Sequence, residues 1–280
     1  MSTNLRVAFI GAGNMAEAMI SGIVKTGTLE PEQVIVTNRS NEDRLLELHN
    51  QYGIQGIVRD RLPISSADVI ILAMKPKDAE ESLISIKDQI RPNQVVMSVL
   101  AGISTSFMEE HLQDGQQVIR VMPNTSSMIQ ESATAISPGE HVTMKNVKVA
   151  KSLLRCIGEV YVIEEEQMDL FTGIAGSGPA YFYYLMENIE KTAIENGMSV
   201  AKAREIGAQT ILGAAKMMLE RDETPAELRK NITSPNGTTA SGLEALADSG
   251  GGSAIKAAVL GAMNRSKEIS EQLEKTPVHQ

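Results

Sequence analysis

A chain of 280 residues, 42% of them apolar, is long enough to bury one or two cores. Its net charge of −9 and its lack of Trp argue against the basic, stacking face of a nucleic-acid binder, though not against an anionic cofactor held by local groups. One cysteine, Cys156, leaves no internal disulfide, fits a reducing cytoplasm, and is expected to be a buried filler rather than a nucleophile.

The chain opens on Met1-Ser2-Thr3-Asn4, too polar for a signal peptide. Residues 5–10 read as a buried strand, and Gly11-Ala12-Gly13-Asn14-Met15-Ala16 turns into a helix reaching about residue 25. Residues 34–37 form a second strand, and helical spacing follows over 43–52. The unbroken apolar run over 68–73 is the strand type of a parallel sheet covered on both faces. A helix over 77–90, strands over 94–99, 117–121, 133–137 and 159–163, and a helix near 144–156 continue the alternation. This pattern implies βαβ units in a doubly wound α/β sheet.

After residue 163 the strands stop. Glu164-Glu165-Glu166 reads as a solvated helix start rather than a metal site. Helices are expected over 167–196, 200–220, 225–231, 239–247 and 253–274, separated by Gly197, Thr224-Pro225, Ser234-Pro235 and Gly250-Gly251-Gly252. The chain therefore divides into an α/β domain over 1–163 and an all-α domain over 164–280, with residues 275–280 expected to fray. No apolar run reaches the ~20 residues that cross a membrane.

Gly11-x-Gly13-x-x-Ala16 sits between a strand and a helix, where it cradles a dinucleotide. Gly11 permits the tight turn, Gly13 lets the backbone approach a pyrophosphate, and Ala16 lets helix and strand pack closely. Ala12, Asn14 and Met15 complete the expected cradle; the alternative is a tight turn without a ligand. NAD binders place Asp or Glu at the end of the second strand, but this chain has Asn38-Arg39-Ser40. An Arg pairs with a 2′-phosphate and its neighbours donate to it, so NADPH is expected, with NADH possible and an exposed surface Arg as the plain alternative. Loops Ala73-Met74-Lys75-Pro76 and Ser98-Val99-Leu100-Ala101-Gly102 follow later strands and should line the crevice, Lys75 facing phosphate, ribose or only solvent. Asn124 and Thr125, after Met122-Pro123, are candidate carboxamide or substrate partners or a plain turn.

The second functional segment is late. Asn231-Ile232-Thr233-Ser234-Pro235-Asn236-Gly237-Thr238-Thr239 is a polar turn placed before a helix start, where free N–H groups and the positive dipole end favour a small anion. Simple capping by Thr238 and Thr239 is the alternative. The histidines at 49, 111, 141 and 279 form no convincing catalytic site. Tyr181, Tyr183 and Tyr184 read as core or dimer packing.

These motifs together make the chain resemble the pyrroline-5-carboxylate reductase family. The matching stretches are Phe9–Ala16, Leu72–Pro76, Ala101-Gly102-Ile103, Arg120–Thr125, Gly176–Tyr181, the segment around Ser234-Pro235, and Asn264-Arg265-Ser266. They span essentially the whole chain in order. The resemblance implies an N-terminal Rossmann domain, a C-terminal helical domain, and an obligate homodimer often assembled into a decamer. It also implies NADPH-linked reduction of 1-pyrroline-5-carboxylate to L-proline, the last step of proline synthesis, without a metal. The carboxylate would be held by Ser234, Asn236, Gly237, Thr238 and Thr239, with Asn231 and Asp222 orienting the turn. Thr239 would meet the ring nitrogen, donating a proton or holding a water. Gly176 would allow close approach to the nicotinamide. The family usually reads Ser-Pro-Gly-Gly-Thr-Thr, so Asn236 departs from it, although Asn tolerates positive φ. Many members also carry Asn near Asp60-Arg61, on the adenine side. Two rivals remain: a β-hydroxyacid dehydrogenase, which would need a Lys that residues 168–190 lack, and a non-catalytic cofactor-sensing paralogue.

Overall fold

The structure, a computed structural model, describes residues 5–275. Eight strands form one sheet: β1 (Val7–Ile10), β2 (Val34–Thr37), β3 (Gln55–Gly56), β4 (Val69–Leu72), β5 (Val95–Ser98), β6 (Gln117–Met122), β7 (Ser132–Pro138) and β8 (Gly158–Val162). Their order is β3-β2-β1-β4-β5-β6-β7-β8. Strands β1 to β6 are parallel, β7 runs antiparallel to β6, and β8 is parallel to β7. The chain therefore reverses its direction of growth at β1 and β4, the kind of switch point where doubly wound sheets bind ligands.

Alternation along each strand feeds two cores. Val7 and Phe9 of β1 face one, with Met19, Ile20 and Ile23 of α1 (Asn14–Lys25). Ala8 and Ile10 face the other, with Leu83 and Ile86 of α3 (Ala79–Ile86). Burying one such large side chain contributes about 1.5–3 kcal/mol, so a sheet covered on both faces accounts for the unbroken apolar strands. Helices α2 (Glu42–Tyr52), α4 (Thr105–His111) and α5 (Met144–Leu154) complete the layers.

Three expectations need correction. The single helix expected over 167–196 is interrupted: α6 (Met168–Phe171) passes into a π-helical turn at Thr172–Gly176 before α7 (Gly178–Glu195). Neither the two-residue β3 nor the seven-residue α4 was expected. Glu165 is not merely a solvated helix-start residue, for it bonds the buried Arg120 at 2.8 Å.

By internal contacts the chain forms two compact units, one of residues up to 177 together with those from 262 onward, the other Gly178–Gly261. The second unit holds α7, α8 (Val200–Glu220), α9 (Pro225–Asn231), α10 (Thr238–Asp248) and the start of α11 (Gly251–Lys275). Within it α7 and α8 pack closely: a Cβ on Gly207 would lie 2.7 Å from Met186 Sδ, and Arg204 bonds Glu190 at 2.7 and 3.1 Å. Tyr181 donates to the Ala258 carbonyl at 3.2 Å. Yet Ala203 is the one buried hydrophobic residue of this unit, while Phe182, Tyr183, Tyr184 and Leu219 are 54%, 62%, 69% and 81% exposed. Apolar surface on that scale marks an interaction face. The expected fraying at 275–280 falls, from residue 276, outside the described residues, as do Met1–Asn4 and His279.

Candidate active site

A cleft of about 1170 Å³ opens at the carboxyl ends of β1, β2 and β4. Gly11, Ala12, Gly13, Asn14, Met15, Asn38, Arg39, Ser40, Ala73, Met74 and Lys75 line it, so the structure brings these expected residues together. Gly11 sits at φ +115°, and a Cβ there would lie 2.5 Å from the Ala73 carbonyl carbon and 2.7 Å from Met74 N. That turn admits no side chain. Gly13 differs, since a Cβ would meet only Ala73 O at 3.9 Å. Its lack of a side chain leaves room in the cleft, as close backbone approach to a phosphate requires. Gly13 is the N-cap of α1, and no side chain caps that helix. Uncapped N–H groups, the dipole end and nearby cations suit an anionic dinucleotide.

Pro76, Ala101, Gly102, Asn124 and Gly176 do not line this cleft. Gly102, at φ +79°, is pressed against α11, where a Cβ would come 2.9 Å from Ile269 and 3.1 Å from Leu273. Asn124 and Gly176 belong to a second cluster. The Asn124 carboxamide donates to the Ala175 carbonyl at 3.0 Å and accepts from Ser126 N, while a Cβ on Gly176 would touch Met122 at 3.1 Å. The loop after β6 is thus tied to the π-helical turn, a local irregularity frequent at functional sites.

Sequence reasoning did not single out Arg44, Arg59, Lys77, Asp78, Glu81, Ser82 and Ser85 as cleft residues. Arg39 bonds Glu81 at 2.8 Å and lies 3.6 Å from Asp78. Arg44 is locked to Glu17 and Glu47 and donates to the Ala12 carbonyl at 3.1 Å, which stiffens the fingerprint turn. Its bond, with a second from Tyr52, holds the Glu17 carboxyl below the ordinary carboxylate range. Helical phase could have flagged Arg44, for it lies in the first turn of α2, one turn before the buried Leu48. Cys156 is buried, and burial pushes its thiol up to about 12, so it stays protonated and inert.

In the second unit Gly237 N bonds the Ser234 carbonyl at 3.1 Å, closing a turn with Pro235 second and Asn236 third, at φ +60°. Pro followed by a residue of positive φ is what a type II turn requires. A Cβ on Gly237 would meet Ser234 Oγ at 2.5 Å and the Ser234 carbonyl oxygen at 3.1 Å, so a side chain there requires the Ser234 hydroxyl to turn away, while Asn236 is tolerated. Gly237 is the N-cap of α10, and no side chain caps it. The capping role weighed for Thr238 and Thr239 is not taken up, which leaves the N–H groups of this helix start without a side-chain partner. Asn231 ends α9 and Asp222 lies exposed in the connection from α8. Among the described residues no cluster of His, Cys, Asp and Glu could hold a metal.

A sheet with a glycine-lined cleft at its switch point defines a dinucleotide-binding domain, and the family "NADP oxidoreductase coenzyme F420-dependent" matches residues 6–102, which places the chain among nicotinamide-dinucleotide oxidoreductases. The family "Pyrroline-5-carboxylate reductase dimerisation" matches residues 165–269. The chain belongs to the pyrroline-5-carboxylate reductase family. It is 62% identical over 271 residues to pyrroline-5-carboxylate reductase 1 of Bacillus subtilis, covering 97% of this chain and 91% of that one. The Escherichia coli pyrroline-5-carboxylate reductase is 33% identical, with 97% and 99% covered. A pyrroline-5-carboxylate reductase structure from Coxiella burnetii superposes with a TM-score of 0.88 at 32% identity, covering 95% of this chain and 99% of that one.

Proposed function

We propose that this chain reduces 1-pyrroline-5-carboxylate to L-proline, taking NADPH in preference to NADH. The observation that carries this reading is one chain with two anion cradles, the cleft at Gly11–Met15 and the uncapped start of α10. A Plasmodium falciparum pyrroline carboxylate reductase structure with NADP bound, 26% identical with a TM-score of 0.85 over 96% of this chain and 99% of that one, supports the cofactor class.

Reduced nicotinamide supplies the hydride when bound. The chain's own task is positioning. The N–H groups at Gly237, Thr238 and Thr239, with Ser234 and Asn236 in the turn, hold the substrate carboxylate, and Asn231 and Asp222 support that turn. Thr239 faces the ring nitrogen, where its hydroxyl donates a hydrogen bond directly or holds a water. An ordinary hydroxyl is a poor acid, but a protonated imine is already electrophilic, so fixing the reacting atoms in contact supplies much of the rate. Pro76, Ala101, Gly102, Asn124 and Gly176 form the nicotinamide end. The functional boundary falls near 163/164, which the dimerisation match beginning at 165 supports.

Self-association follows from the dimerisation family and the bare apolar helices, and we infer a homodimer that assembles further into a decamer. The cytoplasm suits a chain with one inert thiol. Among the described residues no helix is long and apolar enough to cross a membrane.

The test mixes purified protein with pyrroline-5-carboxylate and follows nicotinamide oxidation, with NADPH and NADH in parallel. Fast oxidation is expected, faster with NADPH at low cofactor. Cofactor binding without oxidation would point instead to another imine or to a non-catalytic paralogue. Light scattering on the same sample measures the assembly.

A further inference from the structure

Among the described residues, three arginines are drawn at least partly out of water: Arg44, Arg59 and Arg120. Arg44 has Glu17 and Glu47, and Arg120 has Glu165 with Asp169 at 3.8 Å. Arg59 has no carboxylate within ion-pair distance among the described residues. Its guanidinium donates to Ser85 Oγ at 2.9 Å, one hydroxyl for a group with about five donors. A half-buried cation left this way is costly, and burial lowers its proton affinity below the ordinary arginine value. The charged groups around it are Glu81, Arg39 and Asp60.

The place of Arg59 gives its unbalanced charge a direction. It lines the cleft on the wall that carries Arg39, Glu81 and Ser85, beyond the end of β2. It also lines a smaller adjoining cavity of about 170 Å³ walled by Leu62, Ile64 and Ile86. Arg39, the residue expected to select the cofactor, already bonds Glu81 and lies near Asp78, so its charge is largely balanced and it is 66% exposed. An exposed, paired guanidinium alone discriminates weakly.

We propose that Arg59 is the second cation of a 2′-phosphate clamp whose first is Arg39, and that this pair sets the preference for NADPH. The proposal rests on the NADPH-dependent reading above. A phosphate carrying about two negative charges satisfies both guanidiniums and takes the place of the Glu81 carboxylate on Arg39. Ser85 acts as a positioning residue that holds the Arg59 fork.

The test is equilibrium binding by titration calorimetry, with NADPH, NADH and 2′,5′-ADP as probes. Arg59→Gln is expected to weaken NADPH and 2′,5′-ADP at least tenfold while leaving NADH within about twofold. Equal losses for NADPH and NADH, or no loss for either, overturn the proposal. Should Arg59→Gln melt early, Arg59→Lys keeps the charge without the fork. It is expected to weaken 2′,5′-ADP several-fold and NADH hardly at all, and parallel losses overturn the proposal equally. Wild-type protein that binds neither dinucleotide removes the cofactor reading and this proposal together, whereas wild-type binding with an indifferent Arg59 removes the proposal alone.

Discussion

Two glycines of one fingerprint are held by different forces, and alanine separates them. At Gly11 a Cβ would press on the Ala73 carbonyl carbon at 2.5 Å and on Met74 N at 2.7 Å, all backbone and unable to swing aside. The residue also sits at φ +115°, which costs a side chain roughly 1–3 kcal/mol. Overpacking adds about 1–3 kcal/mol more, for a total of about 2–6 kcal/mol out of a typical stability of about 5–15 kcal/mol. At roughly 2–4 °C per kcal/mol, Gly11→Ala should melt on the order of 10 °C below wild type. Gly13 has φ −78° and only Ala73 O at 3.9 Å from a built Cβ, so Gly13→Ala should stay within about 1 kcal/mol of wild type, the loss of a good N-cap residue offsetting the entropy gained. Its methyl group instead occupies cleft space, and NADPH should bind at least tenfold more weakly, ~1.4 kcal/mol. Thermal melts with and without NADPH, plus a binding titration, measure both. The reasoning is refuted if Gly11→Ala melts with wild type, or if Gly13→Ala binds NADPH unchanged.

Thr239→Ala should lower imine turnover at least tenfold, ~1.4 kcal/mol in the barrier, with NADPH binding intact; unchanged turnover takes Thr239 out of the mechanism. Asn236→Val places a β-branched residue at φ +60° and should cost roughly 1–3 kcal/mol, whereas Asn236→Gly should not; comparable urea midpoints for the two variants would show that this turn is not strained. The bond from Arg44 holds Glu17 below its ordinary 4.5, so its contribution to stability is present above pH 4.5 and is lost as pH falls through the lowered folded-state value. Glu17→Gln should therefore be less stable than wild type at neutral pH, the gap closing in acid below 4.5; urea midpoints that stay parallel across that range would count against it.

The strand–turn–helix at Val7 to Lys25 was legible because an apolar run, a glycine pattern and a helical period all agree there. Strands β4 and β5 were legible as unbroken apolar runs. Strand β3 was not, because Gln55 and Gly56 are both exposed and too few to show a period. The reversal at β7 left a trace that was not used. Residues 123–131 connect β6 to β7, fewer than the dozen or so a parallel crossover needs, so the pair had to be antiparallel. The π-helical turn at Thr172–Gly176 leaves no mark on helical periodicity, and the partner its Ala175 carbonyl meets, the Asn124 carboxamide, is 51 residues away. The glycine side of the cofactor cleft could be read from the fingerprint. Its far wall could not, because Arg59 and Ser85 meet across 26 residues with no local signal.

Helix α11 is one unbroken run from Gly251 to Lys275, yet its residues from 262 onward count with the sheet unit. There Ser266 donates to Asp169, which lies beside Arg120, and Leu273 packs on the second core and beside Gly102. The sheet unit is thus completed by a segment that comes after the helical unit in the chain. Nascent chains ordinarily fold their N-terminal domain first. Here the sheet unit is closed by that later segment, and a fragment cut at residue 163 would lack the helix that packs against Gly102.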